Sequence, residues 1–162
     1  MALTTSYVKI VPEIDLVSEL DVPWRPDAGT PTPIVWSGPQ QTIVIFNASD
    51  KANGERVVLS FEVCLGLYFG YPNDEALPGH PLYERGLGYY GLYEVTESSW
   101  LAQLRKQNQT AFPDVQWPSG PIRHFVVTFH DETFECLAPE MAGRFTNESA
   151  LDVLSPLIGS IR

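Results

Sequence analysis

Residues 41–48, QTIVIFNA, and 56–68, RVVLSFEVCLGLY, decide the fold. Both runs are rich in Val, Ile and Phe, side chains that suit a pleated, half-buried strand. The polar stretch between them, SDKANGE at 49–55, contains Asn53-Gly54, a dipeptide that readily adopts the backbone of a tight turn. In the second run Val57, Leu59, Phe61, Val63 and Leu65 share one face, while Val58, Ser60, Glu62 and Cys64 take the other. A repeat of two predicts an antiparallel hairpin with one face on the core.

Working outward, residues 123–130 and 133–138 predict a second hairpin around Asp131-Glu132. Its first strand sets Phe125, Val127 and Phe129 on one side and His124, Val126, Thr128 and His130 on the other. Residues 97–109 predict a helix. Thr96 is placed to cap it, Val95 and Trp100 stand at the staple positions, and Trp100, Leu101 and Leu104 form its apolar stripe. After Asn147, Leu151, Leu154, Ile158 and Ile161 recur at helical spacing, with Pro156 expected to kink or split that helix. Residues 7–11 alternate like a strand or docked arm, 89–95 read as a short strand, and 110–121 as a proline-bearing loop anchored by Trp117. Residues 12–33 carry five prolines and read as loop-rich, pinned to the body by Trp24 and Trp36. The sum is a single α+β domain over 1–162, a mainly antiparallel sheet of about five or six strands with one or two packed helices.

Composition narrows the function. A chain of 162 residues buries roughly 70% of its unfolded surface without staples. Its 44% apolar and 12% aromatic content is that of a globular protein. Twenty acids against 10 bases give a net charge of −10, and the cations are scattered, so a phosphate backbone is repelled and nucleic acid is not an expected partner. No run reaches the ~20 apolar residues of a membrane span. The opening residues lack the basic and apolar regions of a secretory signal, so the expected location is cytoplasmic. Cys64 and Cys136 stand 72 positions apart without CxxC spacing. A disulfide is open to them, but their apolar, strand-like settings favour free buried thiols.

The candidate chemistry gathers in two segments, 72–93 (PNDEALPGHPLYERGLGYYGLY) and 123–136 (RHFVVTFHDETFEC), which hold all three histidines. In the first, Gly79 and Pro81 bracket His80, and Tyr83, Glu84 and Arg85 follow. A rigid loop carrying imidazole, phenol, carboxylate and guanidinium grips a polar ligand or partner; alternatively the same groups bond each other and hold a long loop together. In the second, His130 beside Asp131 is a candidate general base, and equally ordinary turn chemistry, while Glu135 stands ready to orient or bind. Cys136 as a thiolate activated by His130 is weaker, since it alternates with Phe134 and Ala138 on the core face. No metal is expected: His124 and His130 are six positions apart, about 20 Å along a strand, and no ligand motif is present.

With NDEALPGHPLYERGLGYYGLYEV, SSWL and RHFVVTFHDETFEC in view, the chain resembles a group of small uncharacterised bacterial proteins that share an NDEA-GHPLY stretch, an S-x-W helix start and an HFV-x-x-FHD-x-x-FE-C hairpin. The likeness spans roughly residues 69–138. It implies a bacterial cytosolic setting, brings no activity with it, and adds emphasis to 73–85 and 124–136.

The leading expectation is therefore a small acidic binding or accessory protein without a cofactor, engaging a protein partner or a small polar ligand through the 72–93 loop and the 130–135 hairpin end. The alternative is an enzyme in which His80 and His130 supply acid–base chemistry, oriented by Glu84, Asp131 or Glu135. Arg85 would then bind an anionic group and Tyr83 would donate a hydrogen bond. A structural subunit of a homo-oligomer is a third, one that an exposed sheet edge or a broad apolar patch would reveal.

Overall fold

The computed structural model describes residues 14–29 and 32–159. In it the first hairpin forms as its alternation predicts, from β3 (Gln41–Asn47) and β4 (Arg56–Glu62). Strand β2 (Ile34–Ser37) adds to β3, and β9 (Met141–Thr146) adds to β4, giving a four-stranded antiparallel sheet in the order β2-β3-β4-β9. A second sheet has the order β1-β6-β7-β8-β5. Its strands are β1 (Leu16–Glu19), β6 (Leu92–Thr96), β7 (Arg123–Thr128), β8 (Thr133–Ala138) and β5 (Gly66–Gly70), again antiparallel throughout. Helices α1 (Ser99–Ala111) and α2 (Ala150–Ile158) complete the α+β architecture.

The two sheets face each other across the main core. Val44, Phe46, Val57, Leu59 and Phe61 from one meet Leu92, Phe125, Val127, Phe134 and Cys136 from the other. Phe61 packs at 5.6 Å from Phe125 and 5.3 Å from Phe134, ring to ring. Burying each such ring contributes about 1.5–3 kcal/mol, so this seam holds the sheets together. The outer face of the four-stranded sheet is also buried: Ile43, Ile45 and Val58 lie beneath Val153, Leu154 and Leu157 of α2. Burial on both faces explains why β3 reads as a continuous apolar run. Trp24 does pin the N-terminal segment, because its indole lies flat where a side chain on Gly143 would stand.

One sheet of five or six strands was the expectation; among the described residues there are nine strands in two sheets. The division occurs inside residues 56–68. The chain leaves the first sheet after Glu62, passes through Val63 at φ +37°, and enters the second sheet at Gly66. The Val63 amide is held by the Gln40 carbonyl and the Leu65 amide by that of Leu137, so each side of the crossover is tied to a different sheet. Val63 is consequently exposed rather than aligned with Phe61 on the core. Segment 12–33, read as loop-rich, contributes the edge strand β1, paired with β6. The strand expected at 7–11 lies outside the described residues. Helix α1 begins at Ser99, two residues later than expected, since Ser98 rather than Thr96 caps it and Glu97 turns the chain at φ +52°. Pro156 sits inside α2 without splitting it, and Ser149 caps that helix by accepting from the Asp152 amide.

Candidate functional site

The outer face of the five-stranded sheet carries the polar chemistry. Residues 72–93 fold back over it, with Leu77, Leu82 and Leu87 buried against Tyr93, Val95 and Val126. Hydrogen bonds fasten the start of this loop to the β7–β8 hairpin. The Asp74 amide donates to the His130 carbonyl (2.9 Å), and the Thr133 hydroxyl donates to that of Pro72 (3.0 Å). The two sequence segments therefore touch. Short 3₁₀ turns at Leu77–Gly79 and Tyr83–Arg85 bracket His80 and direct it to the sheet.

There His80 meets Glu135 of β8. Its Nε2 lies 3.1 Å from Glu135 Oε1, while its Nδ1 accepts the Leu82 amide at 3.1 Å. That pattern leaves the ring proton on Nε2, donated to the carboxylate. The other carboxylate oxygen is taken by His124 of β7, whose Nε2 is 2.8 Å from Oε2. His124 Nδ1 is 2.9 Å from the Ser98 hydroxyl, which in turn accepts the Leu101 amide as the cap of α1. Trp100 closes the ensemble with its ring edge-to-face on His124 at 5.2 Å. Ser98, His124, Glu135 and His80 thus form one hydrogen-bonded chain from α1 across two strands to the 72–93 loop.

This chain is nearly dry. The side chains of His80 and His124 are 6% and 3% exposed, and that of Glu135 14%. Burial pushes the Glu135 carboxyl up, but the hydrogen bonds from His124 and then His80 outweigh it and hold its pKa at about 2. Glu135 is therefore a fixed negative charge. It lies at one side of a cavity of about 380 Å³ lined also by Leu67, Tyr68, Leu82, Trp100, His80 and His124. A second hollow of about 440 Å³ shares Tyr68, His80, Pro81 and Glu135 with it and continues toward Tyr71 and Pro72. An apolar wall with a few convergent polar groups is the usual make-up of a small-molecule site. Among the described residues no group of three or more His, Cys, Asp or Glu side chains is arranged to hold a metal ion.

The other sequence candidates lie elsewhere. His130 is 42% exposed at the hairpin end; its Nδ1 bonds Asp131 at 2.8 Å, and its Nε2 is 3.8 Å from Asp74. The Asp131 hydrogen bond, aided by the Asp74 charge, raises its pKa. The hollow beside it is about 10 Å³, room for a single water. His80 and His130 therefore do not share a cavity, and Asp131 is exposed beside the latter. Tyr83 is half-buried against Tyr89, 6.1 Å between rings, and packs on the leucines under the loop. Glu84 and Arg85 are exposed and make no ion pair among the described residues. Of the residues singled out from sequence, His80 and Glu135 meet across the two segments, and His130 and Asp131 pair separately at the hairpin end. Asp74 is instead engaged by the Tyr90 hydroxyl, which lowers its pKa and lifts that of Tyr90 to about 12.

His124, Ser98, Trp100 and Leu67 were not anticipated as site residues. The usable signal was the hairpin register. The first strand ends at Thr128, and Phe129 donates its amide to the Glu132 carbonyl, so Val126 faces Glu135 and His124 faces Leu137. That makes His124 and Glu135 diagonal neighbours on one face. Extending the strand to residue 130, as its pattern suggests, slides the two apart. Comparison with protein-family models, curated proteins and solved structures finds no match to this chain.

Proposed function

We propose that the protein is a small ligand-binding protein, with its site in the cavity beside Glu135. The observation that carries this reading is a carboxylate held ionised by two imidazoles on the wall of an amphipathic cavity of about 380 Å³. Each Glu135 oxygen keeps lone-pair capacity after accepting one N–H, so it can receive a donor from the cavity. The ligand that fits is small, with a cationic or strongly donating group against Glu135 and an apolar or aromatic portion against Trp100, Leu67 and Leu82. The 72–93 loop takes part through His80, Pro81 and Leu82. The acidic charge and the lack, among the described residues, of a helix long and apolar enough to cross a membrane suit a cytosolic accessory protein of bacterial type.

Binding is favoured over catalysis for a chemical reason. A general base works best with a pKa near the working pH and a free site for the proton. Glu135 near 2 is too weak a base, and each nitrogen of both imidazoles already has a partner. Ser98, although linked to His124, spends its hydroxyl on the helix cap, is buried, and does not line the cavity.

Thermal-shift and calorimetric screening with small aromatic amines and amidines, against matched carboxylates, tests the proposal. Cationic members should raise the melting temperature and bind one per chain. Leu67→Arg, on the exposed edge strand β5, should leave the fold intact and abolish that binding by filling the cavity and pairing Glu135. Equal binding to the variant, or a preference for the carboxylates, would sink the reading.

A further inference from the structure

We propose that Cys64 and Cys136 are a modification site, a thiol pair that closes to an intramolecular disulfide when a peroxide oxidises Cys64. The two sulfurs lie 3.0 Å apart, although the residues come from different parts of the fold. Cys136 is in β8, between β7 and the edge strand β5, and fully buried; Cys64 is in the crossover between the two sheets and half-buried. The crossover brings them together, with the Leu65 amide bonded to the Leu137 carbonyl and Leu67 paired to Cys136.

The two thiols are unequal, which gives the reaction an order. When Cys64 is ionised, the Cys136 thiol donates to it, and this bond lowers Cys64 to about 7 against the opposing effect of burial. The same bond, with burial, pushes Cys136 upward. Cys64 is thus the thiolate-forming and accessible member, the one a peroxide meets. Its sulfur attacks one peroxide oxygen, the O–O bond breaks, and the departing hydroxide takes up a proton to leave as water; Cys64 becomes a sulfenic acid. Cys136 then attacks the Cys64 sulfur, loses its proton, and expels the sulfenic hydroxyl as a second water. The net change is two thiols and one hydrogen peroxide to one disulfide and two waters, the two sulfurs supplying the two electrons. A dithiol reductant reverses it.

The bond would join the crossover to β8 at the residue next to Glu135, and so fasten strand β5, whose Leu67 and Tyr68 line the cavity. It needs no ligand and stands independently of the binding proposal.

The test uses the whole native chain. The protein is treated with a small excess of hydrogen peroxide, alkylated under denaturing conditions, and analysed by intact-mass and peptide mass spectrometry. The expected result is loss of two hydrogens, no alkylation, a cross-linked pair of peptides containing residues 64 and 136, and full reversal by dithiothreitol. Closing so long a loop should also raise the melting temperature by roughly 10 °C. Cys64→Ser should prevent the mass change, and Cys136→Ala should trap Cys64 as a sulfenic acid that a dimedone probe captures. Two alkylatable thiols after exposure, a wild-type protein that stops at sulfenic or sulfinic acid, or a bond between two chains would each overturn the proposal.

Discussion

Two histidine–carboxylate groupings sit at opposite ends of the β7–β8 hairpin, and they behave as different materials. At one end His80, Glu135 and His124 are packed under Trp100 and the 72–93 loop, with every ring nitrogen engaged. At the other, His130 and Asp131 bond each other in the open, with Asp74 nearby. The residue types are the same; the solvent is not. In a low-dielectric setting an unpaired group is expensive, so the buried grouping is interlocked, whereas the exposed pair is screened and its members are replaceable.

The sharpest way to break this contrast is Glu135→Ala. It leaves two buried imidazole N–H groups without an acceptor and should cost about 3 kcal/mol or more, read as a denaturant midpoint shift. A loss no larger than that of a surface substitution would show the grouping to be solvated. Acid gives the next largest effect. Glu135 is held at about 2 when folded, against 4.5 for a free glutamate. A depressed carboxylate contributes stability that is present above 4.5 and is lost as pH falls toward 2, on the order of 3 kcal/mol in full. Urea melts across that interval should show this slope, and Glu135→Gln should flatten it.

Coupling separates the groupings further. A double-mutant cycle between His80→Ala and His124→Ala should give an interaction energy of roughly 1 kcal/mol, because both bond the same carboxylate. The cycle between His80→Ala and His130→Ala should give none. The smallest effect belongs to the exposed pair: His130→Ala should shift the denaturant midpoint at neutral pH no more than an ordinary surface substitution does. NMR titration of His130 should place its pKa above 6.5, the direction set by Asp131. Its contribution is present below 6.5 and disappears as pH rises through the folded value.

Much of the fold was legible in local pattern because the physics there is local. Period-two alternation in 41–48, 56–62 and 123–128 reports which side chains meet the core, and the polar loop containing Asn53-Gly54 joins the first two of these strands as expected. The site was less legible. Adjacent His130-Asp131 draws the eye because the residues are neighbours in sequence, yet adjacency on a hairpin turn exposes both. His124 and Glu135 become neighbours only through the hairpin register, and His80 joins them only because Leu77, Leu82 and Leu87 seat its loop on the sheet.

The sequence by itself determined the α+β class, the two hairpins, the amphipathic character of the helices and the acidic charge. These follow from propensities and side-chain periodicity within a dozen residues. Tertiary structure decided the rest: the break at Val63 that parts one apolar run between two sheets, the meeting of Cys64 with Cys136, and the His80–Glu135–His124 chain beside its cavity. Each of these depends on contacts across tens of residues. Such contacts form only when burial of the two-sheet core sets the separate elements against one another.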